Sequence, residues 1–255
     1  KNIDKMVDLF CGGCNVGINV ECGKVLFNDN NKYLVGLLDI FRKLPKPEII
    51  QWVYSAIDKY GLSLVSENGY DYYNSESSKG LGDYNKLGYN KLREDFNKKS
   101  EKDDEYYLML YLLIVYSFNN QLRFNRKEEF NLPVGKRDFN SKMKGKLEAF
   151  IDRIKSSDYR FTVDDFRNVS MEGYTDKSFF YADPPYLITC ATYNEQLGWT
   201  EKDESDLLRY LEELDKKGIR FALSNVLESK GRINTILCDW VNKNKKYIVI
   251  PLNYD

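Results

Sequence analysis

The 255-residue sequence predicts an α/β fold, a doubly wound parallel sheet carrying a helical insert. Three observations predict it. Near the start an apolar strand runs into a glycine turn and a second strand follows. Near the end, strand and helix patterns alternate again. Between them, the stretch 46–146 is richer in Lys, Tyr and Asn and has helical periodicity.

The first portion opens with Val7-Asp8-Leu9-Phe10, a short apolar strand. Cys11-Gly12-Gly13-Cys14-Asn15-Val16-Gly17 then reads as a turn leading into a helix, and Lys24 to Asn28 as a second strand ending at Asp29. This is the start of a βαβ unit. A helix over Tyr33–Phe41 follows, and Pro45 and Pro47 break the pattern and predict a boundary. In the insert the strongest element is Asp104 to Phe118, apolar nearly all round, as a buried helix should be. Arg123 to Lys146 then carries eight basic residues against three acidic ones, either a solvated face or a surface for a polyanion. In the last portion Phe179–Ala182 is a strand. Thr200 with Asp203 forms a capping box opening a helix with a Leu207, Leu208, Leu211, Leu214 stripe. Gly218 closes that helix, Ile219–Leu223 is the next strand and Lys246–Leu252 a further one. The predicted domains are therefore 1–45 with 147–255, carrying chemistry, and 46–146, carrying recognition.

Composition narrows the chemistry. There is no histidine, which removes Ser-His, Cys-His and His-metal arrangements together. The five cysteines (Cys11, Cys14, Cys22, Cys190, Cys238) are an odd, irregular set and a poor disulfide framework. Lys1 to Asp8 is polar, unlike a secretory signal, and the longest apolar run, Tyr106–Phe118, is too short to span a bilayer. The expectation is a cytoplasmic protein with no membrane partner and no metal. The formal charge of −1 demands no polyanionic partner globally.

Two motifs carry chemistry. Phe10-Cys11-Gly12-Gly13-Cys14 is either a redox or zinc Cys-x-x-Cys or a glycine turn admitting a nucleotide-like ligand to the backbone. No second Cys-x-x-Cys completes a zinc site. Asp29, at the end of the second strand, is placed to hydrogen-bond a ribose diol, so the glycine reading is preferred and the cysteines read as small buried residues. The sharper motif is Asp183-Pro184-Pro185-Tyr186, directly after a strand. Its bland alternative is a rigid proline turn. At a strand's carboxyl end, however, a carboxylate, fixed carbonyls and an aromatic ring suit one task, holding a planar amino group by both N–H bonds while its ring stacks on Tyr186. Accepting those bonds favours a localised lone pair on an exocyclic adenine amine, which can then attack a sulfonium methyl in line. No Pro-Cys pair supports a cytosine C5 route.

These residues, in the order glycine turn, insert, DPPY, resemble the alpha group of S-adenosylmethionine-dependent amino-methyltransferases, in the D12 class of DNA adenine N6-methyltransferases, with the Dam-type enzymes of T-even bacteriophages nearest. The matching stretches are Val7–Gly13, Lys91-Leu92-Arg93-Glu94-Asp95, Gly135-Lys136-Arg137, Asp183–Thr189 and Ser224–Glu228. The resemblance implies a Rossmann-like sheet with a helical target-recognition insert, S-adenosyl-L-methionine as cofactor and double-stranded DNA as partner, with the enzyme acting as a monomer. It implies that Phe10, Cys11, Gly12 and Gly13 line the cofactor turn, and that Asp29 holds the ribose. It places Asp165 and Phe166 beside the cofactor adenine, Tyr193 near the cofactor, and Asp183, Pro184, Pro185 and Tyr186 on the target adenine. In the insert it places Phe118 as a wedge in the base stack beside Asn119, with Asn120, Gln121 and Asn125 on the DNA. Arg123 would read a guanine, Pro133 contact a base methyl, and Arg137 touch DNA. An arginine suits a guanine edge, and an apolar wedge suits an enzyme that flips its base. By spacing alone Phe118 is instead the end of the buried helix.

Family members carry a Gly-x-Lys-like element before the first strand and continue past the last one, parts on which cofactor affinity is expected to depend. Gln121 stands where the phage enzymes have Met, so GATC is the implied target. The alternatives are an amine methyltransferase on RNA adenine or a protein amide, a catalytically inactive DNA-binding relative, and a redox protein built on Cys11 and Cys14.

Overall fold

The computed structural model of the chain describes residues 3–189 and 198–252. In chain order the elements are β1 (Lys5–Asp8), β2 (Lys24–Asp29), α1 (Lys32–Lys43), α2 (Lys46–Tyr60), α3 (Val65–Asn68), α4 (Gly82–Lys98), α5 (Asp104–Tyr116), α6 (Ser141–Lys155), β3 (Asp158–Val163), β4 (Ser178–Ala182), α7 (Glu201–Lys216), β5 (Arg220–Leu223), β6 (Glu228–Ser229), β7 (Arg232–Ile233) and α8 (Thr235–Lys243). They divide into two compact units, residues 1–30 with 162–255, and residues 31–161.

The first unit is the α/β portion. Within it the strands run in the order β2-β1-β4-β5, and the β1–β2, β1–β4 and β4–β5 pairings are all parallel. Val7 lies opposite Leu26 on one side and Phe180 on the other. A central parallel strand is covered on both faces, and Met6, Val7 and Asp8 are accordingly all buried. The core gathers Val7, Leu9, Phe180 and Ala182 against Leu207, Leu211 and Leu214 of α7. The Thr200–Asp203 capping box forms. Gly218, at φ 72°, ends α7, with Ile219 N–H donating to Leu214 O and Gly218 N–H to Asp215 O, both at 2.9 Å. These are the paired bonds of a Schellman ending.

Two expectations fail here. No α-helix joins β1 to β2; the only helical element between them is a 3-10 turn, Gly17–Asn19. Glycines at 12, 13 and 17 and a left-handed Cys14 (φ 61°) make this stretch a poor helix. Lys246–Leu252 forms no strand. Ile248, Val249, Ile250 and Leu252 stand exposed, and β-propensity without a neighbouring edge does not make a strand.

The second unit is helical and built around α5, whose residues from Leu108 to Leu113 are all buried. Tyr33, Leu37, Ile40 and Phe41 of α1, together with Leu147 and Ile151 of α6, belong to this core. The helical unit as it packs thus runs from residue 31 to residue 161, beside an expected insert of 46–146. The apolar face of α1 packs on α5 and α6. Pro45 and Pro47 mark only the start of α2, where a proline's missing N–H costs nothing.

Candidate active site

The site elements of the α/β unit all emerge at the carboxyl ends of its parallel strands, where open sheets of this kind place their ligands. After β1 the chain turns sharply. Leu9 N–H donates to Tyr181 O at 2.9 Å, Cys11 N–H to Asn28 O at 2.8 Å, and Cys14 N–H to Cys11 O at 2.6 Å. Gly12, at φ 46°, donates its N–H to Asp29 Oδ2 at 3.0 Å. The glycine turn and the expected ribose-binding carboxylate are thus joined directly. A Cβ on Gly12 would meet nothing within 4 Å, so the turn opens into free space. At Gly17 a Cβ would stand 2.4 Å from the Phe27 ring, and only glycine allows its N–H to reach Asp8 Oδ2 at 3.1 Å.

Asp8 is 2% exposed. Burial pushes its carboxyl up to about 6; the Gly17 N–H opposes that rise, and the negative charges of Asp183 and Asp29 add to it. Three carboxylates therefore share one end of the sheet. Among the described residues no group of three His, Cys, Asp or Glu side chains could hold a metal ion.

Asn28 locks these turns together. Its amide donates to Leu9 O at 3.1 Å and to Asp164 O at 3.0 Å, and its Oδ1 accepts the Thr162 hydroxyl at 2.9 Å. Beside the turn Phe10, Phe166 and Trp199 form a ring cluster with centroid separations of 5.4 to 5.7 Å. Phe166 is buried and carries the Arg167 guanidinium over its face at 4.5 Å. Asp165 accepts from the Arg167 backbone N–H and its guanidinium, so here its carboxylate fixes the edge of the ring cluster. The Cys11 thiol is pushed far up, by its hydrogen bond with Cys14 and by burial. A protonated, buried thiol is unreactive, in keeping with a packing role.

After β4 the DPPY turn follows. Pro184 is buried, Asp183 and Pro185 are exposed and Tyr186 is half-buried. The Tyr186 hydroxyl donates to Asp183 Oδ1 at 2.8 Å and lies 3.1 Å from Ser224 Oγ. Burial, with Asp183 alongside, pushes that phenol up to about 12. Ser224 N–H continues the sheet by donating to Ala182 O at 2.9 Å. Since β4 and β1 are neighbours, the DPPY turn and the glycine turn leave adjacent strands at the same end. Tyr193 lies outside the described residues.

In the helical unit, residues 117–137 form a paired loop closed by the Ser117–Val134 and Phe124–Phe130 bridges. Phe118 is 47% exposed, and its N–H is held by Pro133 O at 2.9 Å. Asn119 and Asn120 follow with φ of 56° and 52°, a left-handed pair that turns the chain and presents the ring outward. The Asn120 amide donates to Ile114 O and Val115 O. Asn125 bonds Glu129 and the Lys127 and Glu129 backbone N–H groups. Both asparagines thus shape the loop with the atoms expected to face a ligand. Gln121 is half-buried, and Pro133 and Arg137 are exposed. Exposed Arg123 is oriented by Nε–H donating to Asn131 Oδ1 at 2.8 Å. Gly135 braces the turn, since a Cβ there would lie 2.3 Å from Ser117 O and 3.0 Å from Phe118 N. Gly135→Ala is therefore expected to cost about 1–3 kcal/mol of stability and to displace Phe118, read by denaturant titration.

Sequence reasoning missed Asp8, Asn28, Trp199, Glu204 and Ser224 as site-shaping residues. Two were signalled: Asp8 is an acid ending an apolar strand, and Glu204 is an acid in phase with a leucine stripe.

The profile of the family described as D12 class N6 adenine-specific DNA methyltransferase matches residues 1–250. The chain is 36% identical over 258 residues to the type II methyltransferase M.FokI of Planomicrobium okeanokoites, covering 99% of this chain and 36% of that protein. It is 35% identical over 257 residues to the modification methylase StsI of Streptococcus sanguinis, covering 97% of this chain and 36% of that protein. To the DNA adenine methylase of Escherichia coli (strain K12) it is 25% identical over 249 residues, covering 96% of this chain and 77% of that protein. The chain thus spans 36% of the length of the first two relatives.

Proposed function

Because this chain belongs to the D12 class of N6 adenine-specific DNA methyltransferases, we propose that it moves a methyl group from S-adenosyl-L-methionine to N6 of an adenine turned out of duplex DNA, with GATC as the sequence read. The observation that carries this is the placement of the glycine turn and the DPPY turn on adjacent parallel strands. The relatives' names support a role as the modification enzyme of a restriction-modification system; the proposed enzyme works as a monomer in the bacterial cytoplasm.

The residues present fit the cofactor. Phe10, Phe166 and Trp199 offer faces and edges for a purine, Asp29 an acceptor for its ribose diol, and Asp8 with the open Gly12 turn a negative, uncrowded place for a charged amino-acid end. Tyr193 belongs to the same assignment. Bound there, the cofactor supplies an electrophilic methyl group on a cationic sulfur.

The chain's own part is to present the amine. Asp183 accepts one N6 hydrogen while its other oxygen keeps the Tyr186 hydroxyl, and the Pro184 carbonyl accepts the second hydrogen. Pro184 and Pro185 fix the backbone so that the acceptors need not reorganise. Tyr186 carries the purine on its ring, and Asp183 stabilises positive charge as it develops on nitrogen. In the recognition loop Phe118 fills the place of the extruded base beside Asn119, Asn120 and Gln121. Asn125 shapes the loop, Arg123 reads a guanine, Pro133 meets a thymine methyl, and Arg137 with the neighbouring lysines meets phosphates.

To test the reading, label transfer from the methyl-labelled cofactor is compared on GATC duplex, duplexes lacking GATC, structured RNA and protein. Transfer confined to GATC duplex is expected, and transfer preferring RNA or protein overturns the assignment. Arg123→Ala is expected to cost about 1–3 kcal/mol of discrimination against duplexes altered at the guanine. A uniform loss on all sequences would remove its reading role.

A further inference from the structure

We propose that Glu204 is a positioning residue that holds the cofactor-side ring cluster and the support of the target-gripping turn to one point. This rests on the functional reading above and extends it to a residue that touches neither ligand.

Glu204 lies in the first turn of α7 and has 0% exposure. A buried carboxylate is costly unless its lone pairs are used. Among the described residues no cation forms an ion pair with it. Instead it accepts three N–H groups: Trp199 Nε1–H at 2.6 Å on Oε2, and Asn225 Nδ2–H at 2.9 Å and Asn234 Nδ2–H at 2.7 Å on Oε1. The amino end of α7 adds a favourable dipole.

Each donor belongs to a different structure. The Trp199 ring packs on Phe10 and Phe166 at 5.6 and 5.7 Å. Asn225 follows Ser224, whose hydroxyl meets that of Tyr186. Asn234 caps α8, its Oδ1 accepting Leu237 N–H at 3.1 Å. The Asn225 amide is likewise fixed, with Oδ1 accepting Val226 N–H at 2.7 Å. Both asparagines can therefore present only their NH₂ groups to residue 204. Three donors converge, and a carboxylate, an acceptor on both oxygens, answers all of them. A glutamine would have to aim its own NH₂ at either the indole N–H or the two asparagines. Glu204→Gln therefore breaks the junction while keeping size and shape.

The experiment measures cofactor affinity by calorimetry and kcat at saturating cofactor on GATC duplex for wild type, Glu204→Gln, Trp199→Phe and the double variant, with circular dichroism as the folding control. Glu204→Gln is expected to weaken cofactor binding about tenfold and to lower kcat about tenfold. The double variant removes the opposing indole N–H, and its cofactor affinity is expected to return to within about threefold of Trp199→Phe alone. A purely structural residue would lower the melting temperature in both Glu204 variants without this rescue. Wild-type affinity and kcat in a folded Glu204→Gln, or a double variant no better than Glu204→Gln, overturns the proposal. If Glu204→Gln does not fold, the double variant is expected to fold and bind, and failure of both also overturns it. Absence of cofactor binding by the wild type instead removes the functional reading itself.

Discussion

Asp183→Ala is expected to slow methyl transfer by about 10²–10⁴-fold, with cofactor and duplex affinities changed by less than about tenfold. The size of the effect follows from what the carboxylate does. The adenine amine is a poor nucleophile, and an acceptor aimed at its hydrogen acts most strongly as charge develops on nitrogen, that is, in the transition state. Asp183 also anchors the Tyr186 hydroxyl at 2.8 Å, so its removal frees the ring against which the purine would lie. Tyr186→Phe, which keeps the ring and loses only that bond, is expected to cost far less. Single-turnover transfer from labelled cofactor, with circular dichroism confirming the fold, makes the comparison. Transfer by Asp183→Ala within tenfold of wild type would remove the residue from its assigned role.

Asp8→Asn is expected to stabilise the protein while impairing it. The Asp8 carboxyl rises from 3.8 to about 6 on folding, chiefly through burial. Between those values the native protein holds more protons at this site than the unfolded chain. Its contribution to stability therefore falls as pH rises from about 4 to 6 and stays low above, by about 3 kcal/mol in all. Asparagine carries no such penalty, and its Oδ1 can still accept the Gly17 N–H. At pH 7.5 the variant is expected to be more stable by about 1–3 kcal/mol, and near pH 4 the two proteins should match. Cofactor binding at pH 7.5 is expected to weaken about tenfold or more, because the charge facing a cationic ligand is gone. Urea titrations at both pH values check the first statement and calorimetry the second. A variant less stable than wild type at pH 7.5 would contradict the assigned cost.

The parts of this protein legible in its sequence are those set by local rules. The Thr200–Asp203 capping box, the leucine stripe of α7 and the Gly218 ending depend on neighbours within a few residues. The DPPY turn was legible because two prolines after an apolar strand leave the backbone little choice. What escaped was decided at long range. The stripe of α1 predicts a buried face but not what covers it, which is α5 and α6. The apolar run from Tyr247 to Leu252 has strand chemistry and no strand beside it. Asn28 and Glu204 are polar residues whose partners lie far along the chain, up to |i−j| = 136 for Asn28 and 30 for Glu204. Asn120 and Asn125 add a further case, since a resemblance aims them at DNA and says nothing of the bonds by which their amides close the loop.

The central claim is that the turn after β4 grips an adenine amine beside a methyl donor held by the turn after β1. Its most direct test is to incubate the protein with duplex DNA and methyl-labelled S-adenosyl-L-methionine, digest the DNA to nucleosides and identify the labelled one. N6-methyldeoxyadenosine as the sole labelled product is predicted. Label on cytosine, or none at all from a protein that demonstrably binds both cofactor and duplex, would contradict it.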